Sequence, residues 1–309
     1  MPGIDSPASI WLFYMMSAVR VDRYLTLSVF RALRRPDLGG AAGVVPILMY
    51  HSISDEPEDG VEPYYRLATN TRRFAEHMRW LNDSGYHGVS LETALAMLAH
   101  GEPDNRPLVA ITFDDGLRNF YTEAWPMIQQ YGFTATMHLP TAFIGSQRRS
   151  FLGRECLTWD EARELCAHGI RFGSHTVNHP KLHELSWDKI EDELRLSKMC
   201  IEQELEEGIS GFAYPYAFPQ EDRRFTSMFA ELLSGLGYHS CVTTVIGRTQ
   251  PGDDAFCLKR LPVNTCDDEA LFFAKLHGAY DWLGSAQRTV RQLKRLTGRS
   301  VTREARSIA

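Results

Sequence analysis

The sequence lacks the features that mark several large classes of protein. It contains no internal repeat and no low-complexity run, and none of its six cysteines forms a Cys-x-x-Cys pair. A solenoid, a disulfide framework and a zinc ribbon are therefore not indicated. The apolar stretch 9–19 is too short to cross a bilayer as a helix. Scattered thiols fit a reducing compartment, so we expect a cytoplasmic protein and keep secretion as the open alternative.

Acidic residues outnumber basic ones, and the charge is unevenly distributed along the chain. The net charge of −6 argues against a nucleic-acid-binding surface. Residues 1–44 carry +2 and residues 281–309 carry +5, which leaves −13 between them. The basic ends indicate either peripheral contact with an anionic membrane surface or ordinary solvated helices. We expect a helical N-terminal extension (1–43), a main domain (44–280) and a basic C-terminal helix or tail (281–309), and the oligomeric state is not indicated.

Short β-rich runs alternate with helical patterns along the main domain. The seven runs cover residues 44–50, 107–113, 134–139, 170–174, 211–214, 239–245 and 258–263. Thr158 and Ser186 are the expected N-caps of two intervening helices. Strand–helix alternation repeated in this way predicts a parallel sheet that is closed or nearly closed. In such barrels the chemistry lies at the carboxyl ends of the strands.

Metal-binding and acid–base side chains follow four of the predicted strands. In chain order these residues are His51, then Asp114 and Asp115 before Gly116, then His175 and His179, then Tyr216 after Pro215. A single Asp-Gly is usually a turn, and a single histidine is often a surface residue. Four strand ends with such residues instead indicate a site, because the carboxyl ends of parallel strands meet at one rim.

These side chains predict a hydrolytic metal site. Two imidazoles and one carboxylate suit a divalent ion, with Zn²⁺ as the first choice and Co²⁺, Ni²⁺ or Mn²⁺ as alternatives. The second carboxylate would accept a proton from the activated water, and His51 would protonate the leaving amine. His175, His179 and His183 are four residues apart, so their spacing does not choose the ligand pair. An Fe(II) site for oxygen chemistry is the alternative use of such ligands.

Three motifs resemble those of the polysaccharide deacetylases of the NodB-homology type, carbohydrate esterase family 4. TFDDG at 112–116 looks like the first motif, SHTVNH at 174–179 like the second and FAYPY at 212–216 like the third. The resemblance covers about residues 44–265. It implies an α/β fold, a distorted (β/α)₇ barrel, and it implies that the main domain removes acetyl groups from an N-acetylated glycan. The alternative on the same barrel is a catalytically inactive carbohydrate-binding protein.

The resemblance also implies roles for individual residues. The implied metal ligands are Asp115, His175 and His179. Asp114 would be the catalytic base, and the backbone N–H of Tyr216 would help to hold the oxyanion. LMYHSI at 48–53 is similar to the opening of a circularly permuted branch, whose acid histidine lies on the first strand. This similarity supports His51 as the general acid, whereas His277 lies in a helical pattern and is interpreted as structural.

Two positions depart from the family pattern. Ala213 stands where many members have an arginine that steadies the base, and Ala217 stands where glycine is common. Arg260 lies in a predicted apolar strand, where an unpaired cation would be costly. We therefore consider two alternatives for Arg260. Either it reaches Asp114 in place of the missing arginine, or it points outward beside Lys259.

Overall fold

Parallel strands form the centre of the protein, which the computed structural model describes over residues 20–33, 43–100 and 107–296. Within these ranges one sheet contains eight strands. They are β1 (Ile47–Tyr50), β2 (His87–Val89), β3 (Leu108–Phe113), β4 (Thr136–Leu139), β5 (Arg171–Ser174), β6 (Gly211–Ala213), β7 (Ser240–Ile246) and β8 (Leu258–Pro262). All pairings in this sheet are parallel. Parallel pairing places the carboxyl ends of these strands on one side of the protein.

The sheet closes because β1 pairs both with β8 and with β3. In the described part of the chain, seven strands complete the ring, namely β1 and β3 to β8. β2 pairs with Leu108 to Ala110 at the start of β3, whereas β4 pairs with Thr112 and Phe113 further along. The predicted distorted (β/α)₇ barrel is confirmed. β2 is absent from the sequence prediction, because three residues are too few to show a strand pattern.

Helices occupy most of the connections between the strands. They are α1 (Val21–Leu25, Thr26–Phe30 and Arg31–Leu33 in succession), α2 (Thr71–Asp83), α3 (Leu91–His100), α4 (Phe120–Ala124 continued by Trp125–Gln130), α5 (Trp159–Ala167), α6 (Trp187–Leu205), α7 (Arg223–Gly235), α8 (Glu269–Leu276) and α9 (Trp282–Leu296). The expected cap Thr158 forms a capping box with Glu161. Ser186 is the N-cap residue of α6, as expected, although its side chain makes no capping hydrogen bond within the described residues. Its carbonyl accepts from Ile190 N–H at 3.0 Å.

Most buried side chains of the barrel are apolar, and several buried polar side chains lie where the strands end. Every residue of β3 after the first is buried, as in a strand that is covered on both faces. Asp114, Asp115 and His175 follow strand ends, yet they are only 2%, 5% and 2% exposed. Buried ionisable groups need compensating partners. The contacts of these side chains therefore decide what this end of the barrel does.

The described parts of both terminal segments contact the rest of the protein. Phe30 in α1 stacks on Trp282 in α9, with ring centroids 4.9 Å apart. The side-chain oxygen of Gln287 in α9 accepts a hydrogen bond from Ile246 N–H in β7 at 3.3 Å. The expected division into extension, main domain and tail stays a prediction.

The predicted membrane contact depends on the two ends of the chain. Residues 1–19 and 297–309 lie outside the described residues, so this contact also stays a prediction. Among the described helices, none combines the length and the apolar character needed to cross a membrane.

Candidate active site

The turn after β3 places two neighbouring carboxylates at the mouth of the barrel. Asp114 still belongs to the strand ladder, since its N–H donates to Tyr50 O at 3.1 Å. Asp115 and Gly116 leave the strand with left-handed backbone, at φ of 74° and 61°. Glycine suits the second position, because a Cβ there would lie 2.9 Å from the side chain of Leu139. Neighbouring side chains of an extended strand point to opposite faces, and this turn allows both carboxylates to be buried at one site.

Four non-glycine residues of the site have left-handed backbone. They are Asp115, Thr176, His179 and Tyr216, with φ between 55° and 74°. Such residues cost on the order of 1–3 kcal/mol each and persist where the surroundings fix them. The Thr176 hydroxyl accepts from His179 N–H at 2.9 Å. The Glu193 carboxylate accepts from the backbone N–H groups of Val177 and Asn178 at 2.8 and 2.9 Å. Local hydrogen bonds thus stabilise the strained loop that carries His179.

Asp115, His175 and His179 form a compact group of potential metal ligands. Their ligand atoms all lie within 4.8 Å of one another. The two histidine Nε2 atoms are 3.1 Å apart, and each lies 3.6 Å from Asp115 Oδ1. Ligand atoms of a tetrahedral zinc ion, with bonds of about 2.0–2.1 Å, lie about 3.3–3.4 Å apart. The spacing of these three atoms therefore fits an ion of this kind.

The protonation of the two histidines also suits metal binding. His175 Nδ1 lies 2.7 Å from Ala213 O, and since a carbonyl oxygen accepts, Nδ1 carries the hydrogen. Nε2 of His175 therefore presents its lone pair towards Asp115 and His179. Burial lowers the pKa of His175 to about 4 and the pKa of His179 to about 3. Both imidazoles are neutral at pH 7, which is the form that binds a metal ion.

Asp115 is the carboxylate of the pair that suits a cation. Its Oδ1 is buried and has no hydrogen-bond partner among the described residues. Burial raises the pKa of Asp115 to about 7, and the charge of Asp114 contributes to the rise. A nearby positive ion stabilises the ionised form of such a group. The donor set and its electrostatics therefore fit a divalent metal ion.

Asp114 has the opposite surroundings, because two donors from other strands contact it. Arg260 in β8 is 1% exposed. Its Nη1 donates to Asp114 Oδ1 at 2.9 Å, and its Nη2 lies 2.7 Å from Oδ2. His138 Nδ1 in β4 lies 3.0 Å from the same Oδ1. Burial would raise the pKa of Asp114, but Arg260 and His138 hold it well below its usual range. Of the two alternatives for Arg260, the outward-facing one is wrong.

His51 follows β1 and lies within electrostatic reach of Asp114. Burial lowers the pKa of His51 to about 4, the charge of Asp114 opposes this shift, and Arg260 reinforces it. The imidazole is therefore neutral in the resting protein at pH 7. It becomes a proton donor only after it has taken up a proton.

Aromatic rings pack around His179. The Phe151 ring centroid lies 5.0 Å from the His179 ring, and the Tyr216 ring centroid lies 4.6 Å from it. Phe151 belongs to a short hairpin of Ser150–Phe151 and Arg154–Glu155. Tyr216 is 47% exposed, and its backbone turn is held by Thr244, whose hydroxyl donates to Tyr216 O at 3.0 Å. Tyr216 thus offers an accessible ring directly beside the candidate metal ligands.

The structure resolves which histidines lie together. His175 and His179 join Asp115, whereas His183 is partly exposed and lies 3.9 Å from Glu184. His277 is the C-terminal cap of α8 and is not a member of this group. His138 is the member of the site that sequence reasoning missed. A histidine inside a predicted β-strand is the available signal, because a buried polar group needs a partner.

Comparisons with known proteins agree with this geometry. Residues 101–238 match the family model described as polysaccharide deacetylase. YxkH of Bacillus subtilis (strain 168), named as a polysaccharide deacetylase, is 29% identical over 220 residues, which cover 71% of each chain. The poly-beta-1,6-N-acetyl-D-glucosamine N-deacetylase of Staphylococcus aureus (strain MSSA476) is 25% identical over 199 residues, 60% of this chain and 68% of that protein.

A solved structure gives the same result for the fold. The Streptococcus pyogenes deacetylase PplD, in complex with acetate, superposes with a TM-score of 0.65 and 26% identity. The match covers 75% of this chain and 98% of that chain. The barrel and its motifs thus define a hydrolase of carbon–nitrogen bonds other than peptide bonds, a carbohydrate N-deacetylase. The family model, the relative and the solved structure confirm the resemblance to the polysaccharide deacetylases that the three motifs predict, and the circular permutation stays a prediction.

Proposed function

We propose that this protein is a metal-dependent enzyme that removes acetyl groups from N-acetylglucosamine units of a polysaccharide or a lipid-linked glycan. One observation carries the proposal. The Asp115 carboxylate, whose Oδ1 has no hydrogen-bond donor within the described residues, lies beside two neutral imidazoles, and the adjacent carboxylate is held by an arginine. The S. aureus relative, named for poly-beta-1,6-N-acetyl-D-glucosamine, supports this substrate class.

In this proposal Asp115, His175 and His179 hold a divalent ion. Bound there, the ion would supply an activated water and polarise the acetyl carbonyl. Asp115 contributes the negative charge, and the Ala213 carbonyl orients His175 for ligation. Zn²⁺ is our first choice because of the mixed nitrogen and oxygen ligands, with Co²⁺, Ni²⁺ and Mn²⁺ as alternatives.

Asp114 is the proposed base and His51 the proposed acid. Arg260 holds Asp114 ionised, so its carboxylate is ready to accept a proton from the attacking water. The pKa of Asp114 lies well below its usual range, whereas that of His51 is about 4. A proton taken from water is therefore more stable on His51 than on Asp114. We propose that His51 receives this proton and delivers it to the nitrogen of the leaving amine.

Tyr216 has two proposed contributions. Its backbone N–H would stabilise the negative oxygen that develops on the acetyl carbon, which is a large electrostatic contribution in acyl transfer. Its exposed ring beside His179 would stack against a sugar face, since aromatic rings bury apolar faces well. Both contributions depend on the left-handed backbone at Tyr216 and on its hydrogen bond from Thr244.

Acetate release is the decisive measurement. The purified protein is incubated with N-acetylated glycans of several linkages, after chelation and after addition of Zn²⁺, Co²⁺, Ni²⁺ or Mn²⁺. We expect release with at least one glycan, loss on chelation and recovery with metal. Glycan binding without any release would support a carbohydrate-binding protein instead. Turnover that consumes O₂ and a cosubstrate would support the Fe(II) alternative.

A further inference from the structure

We propose that His138 is a positioning residue for the catalytic base. Through Nδ1–H it would hold the Asp114 carboxylate in the orientation that accepts a proton. The contact is direct, because His138 Nδ1 lies 3.0 Å from Asp114 Oδ1 and both side chains are buried. The kinetic consequence rests on the function proposed above, whereas the hydrogen bond itself does not.

The barrel wall contains a slot for the His138 ring. His138 lies in the middle of β4 with no exposed surface, and it is paired in register with Gly173 of β5. A Cβ at Gly173 would lie 2.6 Å from His138 Cδ2. Because the ring occupies the space that a side chain would need, its position is fixed by the backbone of the neighbouring strand. A rigid ring is well suited to orient a carboxylate.

The hydrogen bond has one chemically reasonable direction. An ionised carboxylate has no hydrogen to donate, so Nδ1 of His138 must carry the hydrogen. The other ring nitrogen, Nε2, is buried and has no hydrogen-bond partner among the described residues. An unpaired buried polar atom lowers stability. His138 is therefore a poor choice for packing alone, and its contribution lies in the contact with Asp114.

His138 and Arg260 contact Asp114 in different ways. Arg260 comes from β8 and supplies the positive charge that keeps the carboxylate ionised. His138 comes from β4, on the other side of β3 in the ring, and supplies a directed N–H. Together the two donors determine the rotation of the carboxylate.

Three variants test the proposal by kinetics. His138→Leu removes the donor, and His138→Asn keeps an N–H near the position of Nδ1. His77→Leu is the matched control, because His77 is also fully buried but bonds Tyr50 and the Asp267 carbonyl instead. We expect kcat of His138→Leu to fall about 10- to 100-fold with unchanged KM and metal content. His138→Asn should recover part of this loss, and His77→Leu should lose thermal stability but keep kcat.

The second measurement needs no turnover. ¹⁵N NMR of the His138 ring in the purified protein should show a hydrogen on Nδ1. A protonated Nε2 with a bare Nδ1 would overturn the proposal, and so would a wild-type kcat in His138→Leu. If the wild-type protein releases no acetate from any glycan, the proposed function fails, and the NMR result still decides the hydrogen bond.

Discussion

Two carboxylates on adjacent residues have opposite surroundings in this barrel. Asp114 is contacted by Arg260 and His138, and its pKa is held well below the usual range. Asp115 Oδ1 has no hydrogen-bond partner among the described residues, and burial raises the pKa of Asp115 to about 7. We call Asp114 with its two donors the base half of the site. Asp115 with His175 and His179 is the metal half.

The comparison teaches that donors from distant strands, and not the local sequence, assign the roles. Both residues are aspartate, both are buried, and one peptide bond separates them. The left-handed backbone of Asp115 turns its side chain away from the donors of Asp114 and towards the histidines. Besides burial, the negative charge of Asp114 raises the pKa of Asp115, since an ionised Asp114 disfavours a second negative charge nearby.

The largest expected effect comes from breaking the metal half. His175→Ala removes the imidazole whose Nδ1–H is fixed by Ala213, and we expect loss of bound metal and of acetate release to background. Metal content by elemental analysis and acetate release measure the two effects. His183→Ala is the control, because that neighbouring histidine is partly exposed and lies outside the group. Retention of full metal content in His175→Ala would contradict the assignment.

The base half is tested by removing its charge. Asp114→Asn keeps the size of the side chain, and we expect kcat to fall by about 10²- to 10⁴-fold. Metal should still bind, since the asparagine also removes the negative charge that disfavours ionised Asp115. Metal titration and steady-state kinetics on the same preparation separate the two halves. Normal turnover in Asp114→Asn would show that the role assignment is wrong.

Arg260 tests whether the base half depends on its buried ion pair. Arg260→Ala leaves Asp114 buried without its cation, which typically costs about 3–5 kcal/mol of stability. We also expect kcat to fall about 10- to 100-fold, and denaturant unfolding with kinetics measures both effects. Adding Asp114→Asn should restore part of the lost stability, because the two residues interact directly. The control is Lys259→Ala, whose cation pairs with Asp253 instead. Full activity of Arg260→Ala would remove Arg260 from the site.

The sequence predicts much of the metal half, and the reason is local. Asp115 and the histidines belong to short motifs at strand ends, and strand ends of a parallel barrel meet at one rim. Spacing along the chain does not choose between His179 and His183, because it cannot show which ring turns inward; before the structure, only the resemblance of the second motif favours His179. The left-handed backbone at His179, fixed by Thr176 and Glu193, makes that choice.

The base half can be predicted only in part from the sequence, because Asp114 and its two donors are far apart in the chain. Arg260 lies 146 residues from Asp114, and His138 lies 24 residues from it. An arginine in an apolar strand signals a buried partner but does not name it. His138 carries a weaker signal, since a neutral histidine can be buried at less cost than an arginine. The slot opposite Gly173 that receives its ring exists only in the folded barrel.

The smallest expected effect is the release of a proton on metal binding, which depends on pH through the pKa of Asp115. In the metal-free protein the pKa of Asp115 is about 7, so this group is mostly protonated at pH 6 and mostly ionised at pH 8. The histidine ligands are neutral at both values. Binding of Zn²⁺ at pH 6 should therefore release about one proton from Asp115, because a zinc-bound water, with a pKa of about 7, stays mostly protonated at that pH. Calorimetric titrations in buffers of different ionisation enthalpy measure this number, and the release of no proton at pH 6 would contradict the assignment.

The free energy of unfolding of the metal-free protein should also depend on pH, because the pKa of Asp115 is raised in the folded state. The folded pKa of Asp115 lies above its ordinary value of 3.8, so the folded state binds the proton more tightly than the unfolded state does. This contribution is fully present below about pH 4 and is lost as the pH rises through about 7. Asp115→Asn should remove it, so the variant should gain stability over the wild type at pH 8 but not at pH 4. Asp114→Asn should not reproduce that pattern, because the low pKa of Asp114 gives a contribution that is lost towards acid instead.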